Sequence, residues 1–419
     1  MTRLYYIVDS EMLTGGVIEA QVIASLRAQS QIEGQPQTTL IFLEAARVAF
    51  SRQARDTLKA YRRMWPEAKI AVLPYISRWG EAAAAKSLTT YLTGERLNSS
   101  PIIFHCRGPQ ATSIAYRARC ALGKGRVIFD LRGAGAYEAI HRLGFPQRQG
   151  LSPKTEQVYS QNLVMEQRAV AVADWVFVVS PGLVNYAVEQ LHADPDRVLV
   201  VPSCVSRLAF DEGVRQKIRT EWGVGDAPVF VYSGRLGPER LPEHLFRVFA
   251  AARQVDERSR LIIFSYLNEL HDLPAWLDRA GVPSSAVMVK SDTRDNVFAS
   301  LCAADVGMLF LEDAARFVDF ALPIKIPEYL AAGLPLIVNR HVGRVPELVE
   351  SRQLGWVIDP SISDEPLMEK MRKVVTSLTE EREDLRQRAL ETSRELFLWE
   401  NHVPAIRRAY GLYDQNRAN

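Results

Sequence analysis

Short apolar runs recur along the whole chain, separated by longer stretches in which apolar residues return every three or four positions. In the first half the runs fall at 4–8, 39–43, 70–73, 102–105, 127–131, 176–180 and 198–201; in the second at 229–233, 261–265, 287–290, 306–310, 336–339 and 356–358. Runs of this length read as strands, and helix-length stretches between them imply crossovers, so the alternation predicts mostly parallel sheets covered by helices. The pattern pauses near 202–206, which predicts two Rossmann-like α/β domains, 1–205 and 206–396. A long charged helix is predicted over 364–396, and residues 397–419 form a last amphipathic segment that runs through Tyr410 and Tyr413.

Composition narrows the class. A chain of 419 residues exceeds one ordinary core, and 47% hydrophobic with 24% charged residues is a globular rather than a disordered balance. Through Val205 there are 23 Lys and Arg against 17 Asp and Glu, and beyond it 28 against 32, so the first half is the basic one. That excess suits an anionic lipid or acceptor but is too small for nucleic acid, and no basic block is interleaved with aromatics. Cys106, Cys120, Cys204 and Cys302 are widely spaced and read as reduced core thiols. The first strand begins at once, with Asp9 and Glu11 behind it, and no run approaches the roughly 20 apolar residues that span a bilayer. The expectation is a cytoplasmic protein without a signal peptide.

Two segments carry candidate chemistry. Around Pro323, Lys325, Pro327, Glu328 and Gly333 the sequence places a Lys and a Glu one helical turn apart at the start of a short helix, where both would face one ligand. Pro327 can open that helix and Gly333 can close it, and residues 336–338 then read as a buried strand. Upstream, the strand at 229–233 runs into Gly234-Arg235, with Arg240 five residues later. A diphosphate needs fixed guanidinium donors and close backbone N–H groups, while a ribose diol needs a carboxylate that accepts hydrogen bonds. Together the segments suggest a nucleotide-diphosphate site.

On these residues the chain resembles the retaining glycosyltransferases of family 4 (glycosyl transferases group 1). The resemblance implies a GT-B fold, two Rossmann-like domains with a cleft between them and a C-terminal helix crossing back to the first. It implies that Gly234, Arg235 and Arg240 hold the donor diphosphate, that Glu328 of Glu-Tyr-Leu-Ala-Ala-Gly holds the ribose, and that Lys325 belongs to a Pro-x-Lys subgroup. The family's paired acids, seven residues apart, would put the earlier at 320, where this chain has Phe320. Lys325 is read as supplying polarity in its place. Gly15-Gly16, as residues alone an ordinary turn, matches the family's loop that approaches the donor phosphate and acceptor.

Further positions follow strand ends, where open α/β sheets bind ligands. His105 reads as a packed core residue, and Arg107 is the functional candidate beside it. Asp130, Arg132, Gly133 and Glu138 resemble a segment of the same subgroup; Arg132 and Glu138 are read as interdomain or acceptor-side residues, with a structural Asp130–Arg132 pair as the alternative. Gly133-Ala-Gly135 lacks the third Gly of a dinucleotide fingerprint, because 138 is Glu. Asp194-Pro-Asp196 reads as a turn, and no His, Cys or Asp cluster has ligand spacing, so neither a catalytic metal nor a cofactor is expected. A helix over 48–64 carries Arg52, Arg55, Lys59, Arg62 and Arg63 on one face, with Leu58, Tyr61 and Trp65 available to pack or insert. It is either a solvated face or a docking surface for the inner, anionic face of the cytoplasmic membrane.

The expected activity is a retaining hexosyltransferase using a UDP or GDP sugar as co-substrate and a glycan, lipid-linked or small hydroxyl acceptor. Lacking an obvious carboxylate nucleophile, it would use front-face substitution. The alternatives are an inactive GT-B scaffold of polysaccharide assembly, or a sugar-nucleotide epimerase or hydrolase.

Overall fold

A computed structural model describes residues 2–13, 18–31, 36–76, 80–95, 100–237, 240–265, 270–312 and 314–412. The chain divides into two units, Met1–Ser206 with Trp399–Asn419, and Arg207–Leu398. Each is a parallel sheet with helical crossovers.

In the first unit β1 (Arg3–Asp9), β2 (Gln37–Ala45), β3 (Lys69–Tyr75), β4 (Ile102–Arg107), β5 (Arg126–Leu131), β6 (Trp175–Val178) and β7 (Val198–Val200) lie in the order β3-β2-β1-β4-β5-β6-β7. The second unit repeats the winding with β8 (Val229–Ser233), β9 (Arg260–Phe264), β10 (Val287–Lys290), β11 (Val306–Leu309), β12 (Leu336–Val338) and β13 (Gly355–Val357), ordered β10-β9-β8-β11-β12-β13. Strand order reverses between β1 and β4 and between β8 and β11. In such sheets the crevice beyond the carboxyl ends of those strands is the ligand site. Arg107 ends β4, opposite Val8 of β1, and Gly234 follows β8. These central strands are buried on both faces, as β4 shows along its whole length.

The predicted helices differ from the observed ones in three places. The stretch over 364–396 is two helices, Asp364–Glu380 and Arg382–Leu396, broken at Glu381. Leu378 and Leu385 are seven residues apart, so the apolar stripe runs through the break in phase and periodicity cannot register it. The first half packs on the helix Pro242–Val255 and the second on the helix Lys325–Ala331. The basic helix starts later than expected, at Arg52, because Ser51 Oγ accepts from Ala54 N at 3.0 Å. Tyr61 and Trp65 of that helix and its C-cap are buried in the core, 1% and 2% exposed, so of the two expectations, packing or insertion, they pack. Phe50, just before the cap, is 71% exposed instead.

Third, the helix with Lys325 and Glu328 begins at Lys325, two residues ahead of Pro327. Pro327 still lies in the first turn, where a helix N–H has no intrahelical acceptor, so its missing donor costs nothing. The helix closes by a Schellman turn: Gly333, at φ +71°, donates its N–H to Leu330 O at 3.0 Å, and Leu334 N donates to Tyr329 O at 2.9 Å. No helix among the described residues is long and apolar enough to cross a membrane.

Candidate functional site

In the second unit the site is built where β8 ends. Gly234 sits at φ +119°, donates its N–H to Phe264 O at 2.7 Å, and lies so close to Lys325 that a Cβ there would be 2.8 Å from Nζ. Only glycine admits both the conformation and the contact. The Lys325 ammonium lies 5.3 Å from the centroid of the Tyr232 ring, and Tyr232 donates its hydroxyl to Arg235 O at 2.5 Å. The Arg240 N–H closes a turn onto Gly237 O at 2.9 Å. Arg235 lines a cavity of about 700 Å³ with Leu236, Gly237, His244, His271 and Trp276.

Glu328 lies one turn along the same helix. Its residue is 8% exposed, and Oε1 accepts from Arg294 Nη2 at 2.5 Å. The next residue, Tyr329, fixes the helix to the sheet: its hydroxyl accepts from Ser233 N at 2.8 Å, and its ring packs on Gly307, where a Cβ would approach it to 2.4 Å. Asn339 at the end of β12 accepts from Leu311 N at 3.0 Å and donates to Leu311 O at 2.7 Å, tying the neighbouring strand ends together. Phe320 is buried in the turn Arg316–Phe320, and the adjacent Asp319 is paired with Arg316. Lys325, Gly234 and Arg235 therefore come together, with Glu328 one turn along. Arg294 went unnoticed in the sequence because its partnership spans 34 residues; the only local signal is the capped turn Asp292-Thr293 that opens its helix.

In the first unit, Arg107 is 8% exposed and donates Nε to Glu11 Oε2 and Nη2 to Gln21 Oε1, both at 2.8 Å. Gln21 belongs to a π-helical turn, Glu19–Ile23. Arg107 Nη1 is buried with no partner among the described residues. Behind it Asp130 accepts from the Tyr6 hydroxyl at 2.8 Å and lies 3.6 Å from both Arg132 Nη1 and His105 Nε2, while His105 Nδ1 is 2.6 Å from the Tyr410 hydroxyl. Burial works against the Asp130 charge, but Arg132, His105 and Arg107 hold its carboxyl well below the usual range. His105 is a packed core residue.

Arg132 is paired with Asp130 and donates Nη2 to Ser203 Oγ at 3.1 Å. Glu138 forms an i,i+4 pair with Arg142 at 3.3 Å on a partly exposed helix face. Its carboxylate also explains Gly133, where a Cβ would fall 2.0 Å from Oε1. Gly135 is matched to Glu166, whose carboxylate accepts from Gly135 N at 2.9 Å and from the Tyr186 hydroxyl at 2.7 Å. The two glycines thus serve carboxylates rather than a dinucleotide. Burial pushes the Glu166 carboxyl up to about 7, and burial with Glu44, Glu81 and Glu11 nearby does the same at Asp9, at the end of β1. Gly15 and Gly16 lie outside the described residues. Asp194 Oδ1 accepts from Asp196 N at 3.1 Å, a backbone turn. Among the described residues no group of three or more His, Cys, Asp or Glu is placed to hold a metal ion.

Comparison with known proteins places this geometry in a family context. Residues 214–392 match the family model Glycosyl transferases group 1. A D-inositol 3-phosphate glycosyltransferase of Nocardioides sp. is 25% identical over 309 residues, 70% of this chain and 65% of that protein. A GDP-mannose-dependent alpha-(1-6)-phosphatidylinositol monomannoside mannosyltransferase of Mycolicibacterium smegmatis is 28% identical over 154 residues, 36% of this chain and 40% of that protein. The matched regions thus span less than two thirds of either relative. Among solved structures, Anabaena HepE in complex with UDP superimposes with a TM-score of 0.68 at 15% identity, covering 98% of this chain and all of that one. With two Rossmann-like parallel sheets matching GT-B glycosyltransferase structures, the chain carries a Glycosyl transferases group 1 domain over residues 214–392.

Proposed function

We propose that the protein is a retaining glycosyltransferase of family 4, moving a hexosyl group from a nucleoside-diphosphate sugar to a hydroxyl acceptor. The observation that carries this reading is the end of β8, where a positive-φ glycine backbone, the Lys325 ammonium and the Arg235 segment come together, with a buried carboxylate, Glu328, one turn along the helix of Lys325. Arg235, Arg240 and Lys325 would take the charge that grows on the departing diphosphate, with Gly234 allowing close approach, and Glu328 would accept from the ribose hydroxyls. Gly15 and Gly16 would approach the phosphate and acceptor by backbone N–H groups. Arg107, with a buried Nη1 left over, suits an acceptor or sugar oxygen, and Arg132 and Glu138 complete the acceptor side.

With Phe320 where the family has an acid, the reaction runs by front-face substitution. The anomeric carbon–oxygen bond to the diphosphate breaks, the acceptor oxygen bonds to the same face, and its proton passes to a leaving-phosphate oxygen. No metal is required for that charge balance. Of the proteins named above, one is GDP-mannose-dependent and another was solved with UDP, so both UDP and GDP sugars belong in the test.

Thermal unfolding with UDP, GDP, ADP and their sugar conjugates reads the donor site, because a ligand of the folded state raises stability by mass action. One nucleotide should shift the midpoint, and Glu328→Ala and Arg235→Ala should abolish the shift; no shift with any nucleotide would favour an inactive scaffold. Sugar release without acceptor would point to a hydrolase, and anomeric analysis of the product by NMR decides retention. A cytoplasmic enzyme docking on anionic lipid through Arg52, Arg55, Lys59, Arg62 and Arg63, with Phe50 exposed beside them, should bind phosphatidylserine vesicles in a salt-sensitive manner.

A further inference from the structure

We infer that Arg294 is a positioning residue: it fixes the Glu328 carboxylate so that its remaining acceptor positions take the ribose hydroxyls, and so sets selectivity for ribonucleotides over deoxyribonucleotides. The inference rests on the nucleotide-donor reading given above and concerns how the same site recognises the sugar of the nucleoside.

A carboxylate on a residue 8% exposed has lost most of its water, and burying it without a charged or hydrogen-bonding partner is expensive. Arg294 Nη2 supplies that partner at 2.5 Å, a charge-assisted bond from a side chain itself only 23% exposed. A carboxylate has about four lone-pair positions, and one guanidinium N–H fills one of them, leaving acceptors for a vicinal diol. The geometry of those acceptors depends on where Arg294 stands.

Arg294 is held firmly. It opens the helix Arg294–Ser300, capped by Thr293, whose Oγ1 accepts from Asn296 N at 3.4 Å. Asp292 Oδ1 accepts from Thr293 N at 2.6 Å and from Asn296 Nδ2 at 2.8 Å, closing a tight turn directly after β10. Glu328 is held from its own side, since Tyr329 is anchored to Ser233 N and packed on Gly307. Two stiff elements therefore meet through one ion pair, the arrangement by which an outer partner orients a ligand-binding group. Lys at 294 would keep the charge but lose the planar fork.

The test is titration calorimetry of the full chain with UDP and 2′-deoxy-UDP, and with GDP and 2′-deoxy-GDP, for wild type, Arg294→Met, Arg294→Lys, Glu328→Gln and the double variant Arg294→Met/Glu328→Gln. Wild type should prefer the ribonucleotide by about tenfold, the size of one well-made hydrogen bond to a charged group. Arg294→Met should bring that ratio close to one while leaving the affinity for the deoxynucleotide within about twofold, and Arg294→Lys should keep part of it. In the Glu328→Gln background Arg294→Met should have no further effect on the ratio, because the two residues act as one unit. A preserved ratio in both Arg294 variants alongside its loss in Glu328→Gln would overturn the inference and leave the donor reading intact, as would tighter ribonucleotide binding in Arg294→Met. Absence of binding by wild type to all four nucleotides would overturn both.

Discussion

Gly307 and Asp305 carry as much of the second unit's construction as the candidate site residues. Gly307 makes room for the Tyr329 ring, so Gly307→Ala forces that ring off the Ser233 N–H and away from the helix that bears Lys325 and Glu328. The expected cost is about 1–3 kcal/mol by chemical denaturation, with nucleotide affinity falling alongside. Asp305 is fully buried between Arg215, at 2.5 Å, and Arg219, at 3.1 Å, and also accepts from Val229 N at 2.8 Å. Asp305→Ala strands two buried guanidiniums and should destabilise the unit by about 3–5 kcal/mol, read as a lowered denaturant midpoint. At this scale the sequence singled out Lys325, Glu328, Gly234 and Arg235 as candidates, since they stand out by their spacing along one strand end and one helix. Arg294 and Asp305 stayed hidden because their partners lie on other elements, and no local pattern encodes a pairing across 34 or about 90 residues.

Elements were legible wherever an apolar period marked them. The chain's strands follow the apolar runs closely, and the helix over Lys325–Ala331 is announced by Gly333. Breaks were not legible, because Glu381 interrupts the helix without interrupting the stripe. The helix Trp399–Tyr410 belongs to the first unit, where Trp399 N donates to Val205 O, Arg126 Nη1 donates to Ala409 O at 2.7 Å, and Tyr410 stacks on Phe177 with ring centroids 6.1 Å apart. The Tyr410 hydroxyl meets buried His105 at 2.6 Å. Tyr410→Phe should therefore cost about 1–3 kcal/mol, because it leaves a buried ring nitrogen unpartnered; calorimetric unfolding should show the loss in the transition of the first unit alone.

Over the whole molecule, stability should pass through a maximum in mildly acidic solution. Asp130 has a carboxyl held below the usual range, so its contribution is present above the unfolded value near 4 and is lost as pH falls through the folded one. Asp9 and Glu166 have the opposite sign: each is raised to about 7, so each contributes stability that is full below the unfolded value near 4 and disappears as pH rises through 7. Each raised carboxyl is worth on the order of a few kcal/mol across that interval. Melting temperature measured from pH 3 to 9 should be highest near pH 4, where the gain from Asp130 gives way to the loss from the two raised carboxyls, and Glu166→Gln should flatten the alkaline limb. Raising pH from 5 to 8 without a fall in the wild-type midpoint would contradict this.

The sequence by itself determined the two-fold α/β repetition, the strands and the glycine-marked ends of β8 and of the helix Lys325–Ala331, because each rests on short-range rules: apolar runs, helix stops and the fixed reach between residues one turn apart. Tertiary structure alone decided which charges pair. It seated Arg107 on Glu11 and Gln21, Arg132 on Asp130 and Ser203, and Arg294 on Glu328, and it turned Tyr61 and Trp65 inward. The physical reason is that a charge or a ring takes its partner from whatever the folded chain brings within a few ångströms, and the parallel crossovers of these sheets bring together residues that lie far apart in sequence.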